Sequence, residues 1–324
     1  MACGGDDDNG GSAEPAEGTD RAEFKIALVT DVGQLNDRGF NQLAHEGLKR
    51  AEKDLGVEIR VTQSESAADY VPNHTTLARQ GFDLVIGVGF AQGEAVDAAA
   101  TQLPDGRFAI IDVDQATLPH RPENVVGILF REEQVGYLAG VLAGRSAKGK
   151  SPTISSVGGY KEPPVDRFIA GYQAGAKWAR PGVKAVNGYS SDWDDQAKCK
   201  EIALNQIARG STVVFQVAGG CGLGTLSAAA DRNVWGIGVD ADQAFLGQHV
   251  LTSALKRVDE AVFRTIKSVV DGTWQGGRNL VFGLEEDGVG LGKINPKVAA
   301  KDQRFVEEAR RKILAGDVRI PKAL

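Results

Sequence analysis

From residue 24 onward the chain alternates short apolar runs with longer segments whose apolar residues recur at helical spacing. Phe24 to Thr30 is a continuous apolar run ending in polar residues, and a helix is predicted from about Asn41 to Leu55 with Gly56 as its stop. Val57–Val61 reads as the next strand and Tyr70–Gln80 as the next helix, closed by Gly81. Leu84–Val88, a helix from Ala91 to Gln102, Arg107–Ile111 and Val125–Leu129 complete a first half. A helix from Gln134 to Ala143 and a loop over 144–152 lead into a second half of the same kind. Its strands are Thr153–Val157, Val183–Tyr189, Thr212–Val217 and Trp235–Val239, and its helices run over Phe168–Ala179, Gln196–Ala208 and Gly224–Ala230. Val250–Leu255 is a further strand, Val258–Val270 a helix, and Asn279–Leu284 a β-like run before a Gly-rich stretch. An amphipathic helix from about Pro296 to Leu314 closes the pattern.

Strands without in/out alternation are buried on both faces, which calls for a parallel sheet covered by helices on each side. The expected architecture is α/β, with two doubly wound parallel-sheet lobes joined by a hinge. The N-terminal lobe is predicted over 22–129 plus about 256–278, and the C-terminal lobe over 130–255 plus about 279–324. A chain of 324 residues suffices for two such cores. In open parallel sheets the ligand crevice lies beyond the C-terminal ends of the strands, and two lobes facing each other form a cleft that a hinge can close.

The residues at those strand ends are the candidate chemistry. Thr30 to Asn41 holds Asp31, Asn36, Phe40 and Asn41, either as a ligand loop or as an ordinary turn with Phe40 in the core. Gly87-Val88-Gly89-Phe90 allows backbone to approach a ligand but lacks the rest of a dinucleotide fingerprint. Asp112 follows Ile110-Ile111 directly, as a ligand acceptor or a helix cap. Gly219 lies in the turn Ala218–Gly224, which lacks the Gly-Lys-Ser/Thr ending of a phosphate loop. Asp240 repeats the pattern of Asp112. Lys256 ends a strand where the chain crosses between lobes, placed to bind a ligand hydroxyl or to hold the hinge through a carboxylate. The pairs Asp112/Asp114 and Asp240/Asp242 alternate along their strand ends and so point to opposite faces, which is no acid/base dyad. No nucleophile motif is present, no cofactor is implied, and four scattered His give no metal spacing.

Residues 1–21 are a different material, rich in Gly, Asp, Glu, Ser and Pro, and read as a disordered tether. Cys3 at its head resembles the lipid-bearing first residue of a mature bacterial lipoprotein, a reading that expects a signal peptide to have been removed ahead of it. The net charge of −6 disfavours nucleic acid and anionic lipid as partners. No apolar run reaches the roughly 18 residues of a membrane span. Cys199 and Cys221 form either a disulfide or two buried free thiols.

Taken in order, Thr30-Asp31-Val32-Gly33, Asp37, Phe40-Asn41-Gln42, Gly87–Phe90, Ile111-Asp112, Ala218–Gly224, Ile237–Gln243 and Thr252–Asp259 resemble the basic membrane protein family. These are PnrA-like substrate-binding lipoproteins of ABC transporters. The resemblance covers roughly residues 24 to 320. It implies the type I periplasmic-binding fold, no catalysis, and a purine nucleoside as the usual ligand. It makes Phe40 and Phe215 the two rings that sandwich the base, Asp31 and Asp112 the carboxylates of the first lobe, and Asp240 with Lys256 the ribose-binding pair. Asn36, Asn41, Phe90 and Gly219 become further lining positions. It also implies an ABC transporter permease as partner, a monomer with both lobe faces free, and lipid anchoring through Cys3 at the outer face of the bacterial cell membrane. A free sugar or other small polar metabolite as ligand, or a sensory receptor role without transport, stand as alternatives. The chain departs from the family pattern at Arg38-Gly39, at Gln216 and in its cysteine pair. A Cys199–Cys221 bridge would pin the turn after the Phe215 strand to the preceding helix and rigidify one wall of the cleft.

Overall fold

A computed structural model describes Met1, residues 24–150 and residues 152–324. The tether expected over 1–21, with Cys3, lies outside the described residues apart from Met1. The first sheet is built from β1 (Lys25–Val29), β2 (Glu58–Thr62), β3 (Leu84–Gly87), β4 (Phe108–Ile111) and β5 (Val125–Phe130), with helices α1 (Phe40–Leu55), α2 (Tyr70–Arg79) and α3 (Gly93–Gln102) between them. Helix α4 (Glu132–Ser146) leads into the second sheet. Its strands are β6 (Thr153–Gly158), β7 (Lys184–Tyr189), β8 (Ser211–Val217), β9 (Trp235–Asp240) and β10 (Val250–Lys256), and its helices α5 (Pro163–Ala179), α6 (Gln196–Ala208) and α7 (Gly222–Asp231). The chain then returns through α8 (Val258–Val270), β11 (Arg278–Phe282), β12 (Val289–Leu291) and α9 (Ala300–Leu314).

The two sheets share one plan. The first runs β2-β1-β3-β4-β5-β11 and the second β7-β6-β8-β9-β10-β12. All pairings are parallel except β10 with β12. The central strands β3 and β4 are buried along their whole length, which is why their sequences read as unbroken apolar runs. Helix α1 starts where Asp37 accepts hydrogen bonds from the backbone N–H groups of Gly39, Asn41 and Gln42. It stops at Gly56, whose φ of 72° is left-handed. Helix α5 begins five residues earlier than its periodicity predicts, because Pro163-Pro164 occupy the first turn, where the missing N–H groups have no partner to lose.

The expected boundaries need correcting: Phe130, assigned to the C-terminal lobe, ends β5 of the first sheet, and Lys256, assigned to the N-terminal lobe, ends β10 of the second. Residues 279–282 were assigned to the C-terminal lobe, but β11 pairs in register with β5, Leu280 opposite Ile128, and so extends the first sheet. An apolar run fits either sheet edge equally well, so its sequence carries no sign of the choice. The chain crosses between sheets three times, at Arg131, at Arg257 and over 283–288.

Helices α4 and α5 pack with their backbones in direct contact. A Cβ placed on Gly140 would fall inside van der Waals distance of the Tyr172 carbonyl, and one on Gly175 would meet that of Tyr137. This close approach fixes α5, whose first two turns reach the cleft. Gly140→Ala is expected to lower unfolding stability by about 1–3 kcal/mol through overpacking; urea titration reads this, and an unchanged midpoint would contradict the contact.

Candidate functional site

The carboxyl ends of both sheets face a cleft that encloses about 670 Å3, its open mouth included. The first lobe contributes Asp31, Phe40, Asn41, Gly89, Phe90 and Asp112 to its walls. The second contributes Glu162, Phe168, Trp193, Gly219, Asp240 and Lys256. Eight of the residues expected from the sequence are therefore brought together: Asp31, Phe40, Asn41, Phe90, Asp112, Gly219, Asp240 and Lys256.

At the deep end sits the Lys256 ammonium, 2% exposed. It donates to both carboxylate oxygens of Asp112 at 2.7 Å and lies 3.0 Å from Glu132 Oε1. Arg167 reaches the other Glu132 oxygen at 3.3 Å. The rings of Phe40 and Phe130 stand 5.0 and 4.9 Å from Nζ, within cation–π range. Burial opposes the charge on Lys256, but Asp112, Glu132 and Asp240 together hold its pKa above the ordinary lysine value. Burial also pushes Asp112 upward, against the pull of Lys256. Lys256 thus ties the second lobe to Asp112 of the first, as the hinge expectation has it, and it also lines the cavity.

Two cations thereby face two carboxylates, and further carboxyl groups remain. Burial raises Asp240 to about 7, with Lys256 opposing and Asp37 and Asp112 adding to the rise. Glu162 is likewise pushed to about 7 by burial and by the charges of Asp31 and Asp112. Asp31 is raised by burial while it accepts hydrogen bonds from the Tyr70 hydroxyl and the Val32 N–H. The Asn41 side-chain oxygen is buried without a hydrogen-bond partner. Asp112 and Asp240 both adopt left-handed backbone, at φ 73° and 61°. That conformation is strained for non-Gly residues and is held here by the sheet ends and the packing around them. The neighbouring carboxylates go elsewhere. Asp114 accepts from Ala116 N and Asn279 Nδ2, and Asp242 from Ala244 N and Lys293 N.

Two expected site residues do not reach the cavity. Phe215 is fully buried inside the second lobe, edge-on to Phe168 at 6.2 Å and 5.1 Å from Tyr172. It stands two residues before the end of β8, where side chains still point perpendicular to the sheet and into the layer beneath α5. Phe168, on the second turn of α5, lines the cavity where Phe215 does not. Asn36 is exposed in the loop before α1, outside the lining. Sequence reasoning also missed Glu162 and Trp193. The signal for Trp193 was legible: a lone Trp in the polar loop Ser190–Asp195, directly beyond a strand end. For Phe168 there was none, since a Phe at helical spacing reads as core. Gln216 faces away from the cavity and donates to Gln243 Oε1 at 2.9 Å. Cys199 and Cys221 are joined, with Cα atoms 5.6 Å apart.

The sign of the pH dependence follows from the raised carboxyl groups. A group at about 7 folded and 3.8 unfolded binds more protons in the folded state, so stability is lost as pH rises between those values. Asp240→Asn removes that penalty. The variant should therefore gain most in melting temperature relative to wild type at about pH 8, and progressively less as pH falls toward about 4; a gain independent of pH would refute the burial argument.

The family model of PnrA-like ABC transporter substrate-binding proteins, Bmp, matches residues 24–323. The ABC transporter nucleoside-binding protein BmpA of Lactococcus lactis is 34% identical, over 95% of this chain and 92% of that protein. An uncharacterised lipoprotein of Pyrococcus abyssi is 36% identical, over 84% of this chain and 70% of that one. The crystal structure of an ABC transporter solute-binding protein from Aeropyrum pernix has a TM-score of 0.84 at 29% identity, covering 92% of this chain and 93% of the other. The family and this structural relative are solute-binding proteins, not enzymes. With its two doubly wound lobes on the type I periplasmic-binding plan, the chain belongs to the PnrA-like family of ABC transporter substrate-binding proteins.

Proposed function

We propose that the cleft binds a purine nucleoside and that the protein delivers it to the permease of an ABC importer, held at the outer face of the cell membrane by a lipid on Cys3. One observation carries the reading: aromatic rings from both lobes flank a cavity whose deep end is a carboxylate–lysine cluster. Phe40 and Phe90 come from the first lobe and Phe168 and Trp193 from the second. A planar base offers two faces to such rings, and stacking on an aromatic contributes about 1–3 kcal/mol per base. The ribose hydroxyls match the other half of the cavity. Asp240 makes no hydrogen bond to protein among the described residues and is aimed into the cleft, so it accepts from a hydroxyl pair, with Lys256 beside it. Asn41 Oδ1 and the carboxylates of Asp31 and Asp112 accept from base N–H groups.

Charge narrows the ligand further. Among the described lining residues Lys256 is the one cation, and Asp112 and Glu132 already neutralise it. A phosphate would face Asp31, Glu162 and Asp240 with no free positive partner. The site therefore suits a neutral nucleoside and opposes a nucleotide. The reading assigns the protein binding and release, not turnover.

A thermal-shift and calorimetric panel of adenosine, guanosine, inosine, their 5′-monophosphates, ribose and adenine tests this. A nucleoside should raise the melting temperature by several degrees, because ligand bound only to the folded state stabilises it. The monophosphates should bind at least about a hundredfold more weakly. Phe168→Ala and Asp240→Ala should each weaken the nucleoside by about tenfold or more while Phe215→Tyr, a change in the core, chiefly alters stability. A panel in which ribose or another sugar binds and no nucleoside does would overturn the reading.

A further inference from the structure

We infer that the Cys199–Cys221 disulfide is a positioning element of the ligand site: it holds Trp193 in place as a preformed wall of the cleft. Trp193 lies in the polar loop between β7 and α6, half-buried and packed against the edge of the core. Its ring lies on the backbone of Gly159, so closely that a Cβ there would overlap ring atoms, and a Cβ on Gly219 would be 3.7 Å from Cε3. Tyr160 flanks it at 5.4 Å between ring centres. The ring is thus seated by glycines on one side and open to the cavity on the other.

What fixes the loop differs at its two ends. Upstream, Ser190 N and Ser191 N donate to the carbonyls of Gly158 and Gly159 and continue the ladder between β7 and β6. Within the loop, Asp192 accepts from Asp194 N, Asp195 N and Lys198 Nζ, and Asp195 caps α6. These bonds shape the loop without tying it to the cavity wall. The downstream tie is to α7. The Trp193 carbonyl accepts from Cys221 N at 2.7 Å, and the Gln196 carbonyl packs against Gly224 where a Cβ would overlap it. The Cys199–Cys221 bond clamps this junction covalently from the first turn of α6. The same loop meets the first lobe, where Gln34 N donates to Asp194 Oδ1 at 3.4 Å. A wall that contacts both ligand and opposite lobe must otherwise be ordered when the ligand binds. Holding it in advance removes that entropy cost from the binding step.

The inference takes its probe from the nucleoside reading, and the experiment separates the two. The nucleoside that binds wild type most tightly is titrated calorimetrically into four full-chain proteins: wild type, Cys199→Ser/Cys221→Ser, Trp193→Ala, and the combination. Circular dichroism and melting confirm that each is folded at the assay temperature. Loss of the bridge should raise Kd about tenfold when Trp193 is present. In the Trp193→Ala background the same loss should change Kd by less than about twofold, because the two act through one element. An unchanged Kd in the first comparison, or an equal loss in both backgrounds, overturns the inference. Wild-type protein reduced with a phosphine supplies the unbridged form should the double serine variant not fold. A ligand-free readout stands beside these. With 5-fluorotryptophan incorporated, the Trp193 resonance, assigned by its absence in Trp193→Phe, should be a single sharp line with the bridge and broadened or split without it. An identical line in both forms overturns the inference even if wild type binds no nucleoside, an outcome that by itself sinks only the proposed ligand.

Discussion

The Lys256 ammonium, withdrawn from water between Asp112 and Glu132, is the contact on which the rest of the cleft depends. It stands where the chain leaves β10 to cross between lobes, and its principal partner belongs to the opposite sheet. A charge so deeply buried is tolerable only while it is paired, and removing one partner of such a pair typically costs about 3–5 kcal/mol. Arg167 balances the second carboxylate, so the cluster closes as a set rather than as one pair. Once Lys256, Asp112, Glu132 and Arg167 have paired with one another, Asp240 and Glu162 are left without an ion-pair contact among the described residues. Burial pushes Asp240 and Glu162 toward neutrality against the pull of Lys256, so the cavity offers acceptors and, among its described lining residues, no unpaired positive charge.

The aromatic walls depend on backbone packed without side chains between the elements. Phe168 reaches the cleft because α5 lies against α4 with glycine at the contacts, and Trp193 because Gly159 and Gly219 leave room for its ring. Larger residues at these positions would displace the rings before they disturbed any polar group. The polar and apolar halves of the site are therefore held by different physics. Electrostatic pairing fixes one, and close packing of bare backbone fixes the other.

Most of the architecture was legible because doubly buried strands write themselves as apolar runs, and the strand ends then pointed to Asp31, Asp112, Asp240 and Lys256. Three features were not legible, each for a physical reason. Phe215 and Phe168 are both apolar residues within regular elements, and only the offset of β8 against α5 decides which of them meets the cavity. The run at β11 satisfies either sheet edge, so pairing with β5 is a tertiary choice. Nothing in the sequence marks Glu162, because its shifted acidity arises from burial and from the charges of Asp31 and Asp112, which lie far away in the chain.

Because the two sheets follow one strand order, β4 and β9 occupy equivalent places, and Asp112 and Asp240 end them in the same left-handed turn. Gly89 and Gly219 are matched in the same way beyond β3 and β8. An unbroken twofold relation would let an occupant enter either way round with equal energy. Lys256 breaks it. By engaging Asp112 and leaving the Asp240 carboxylate without a hydrogen bond among the described residues, one side chain makes equivalent carboxylates unequal and gives the cleft a polarity. The cleft itself thus has a head, at the Lys256–Asp112 pair, and a tail, at Asp240.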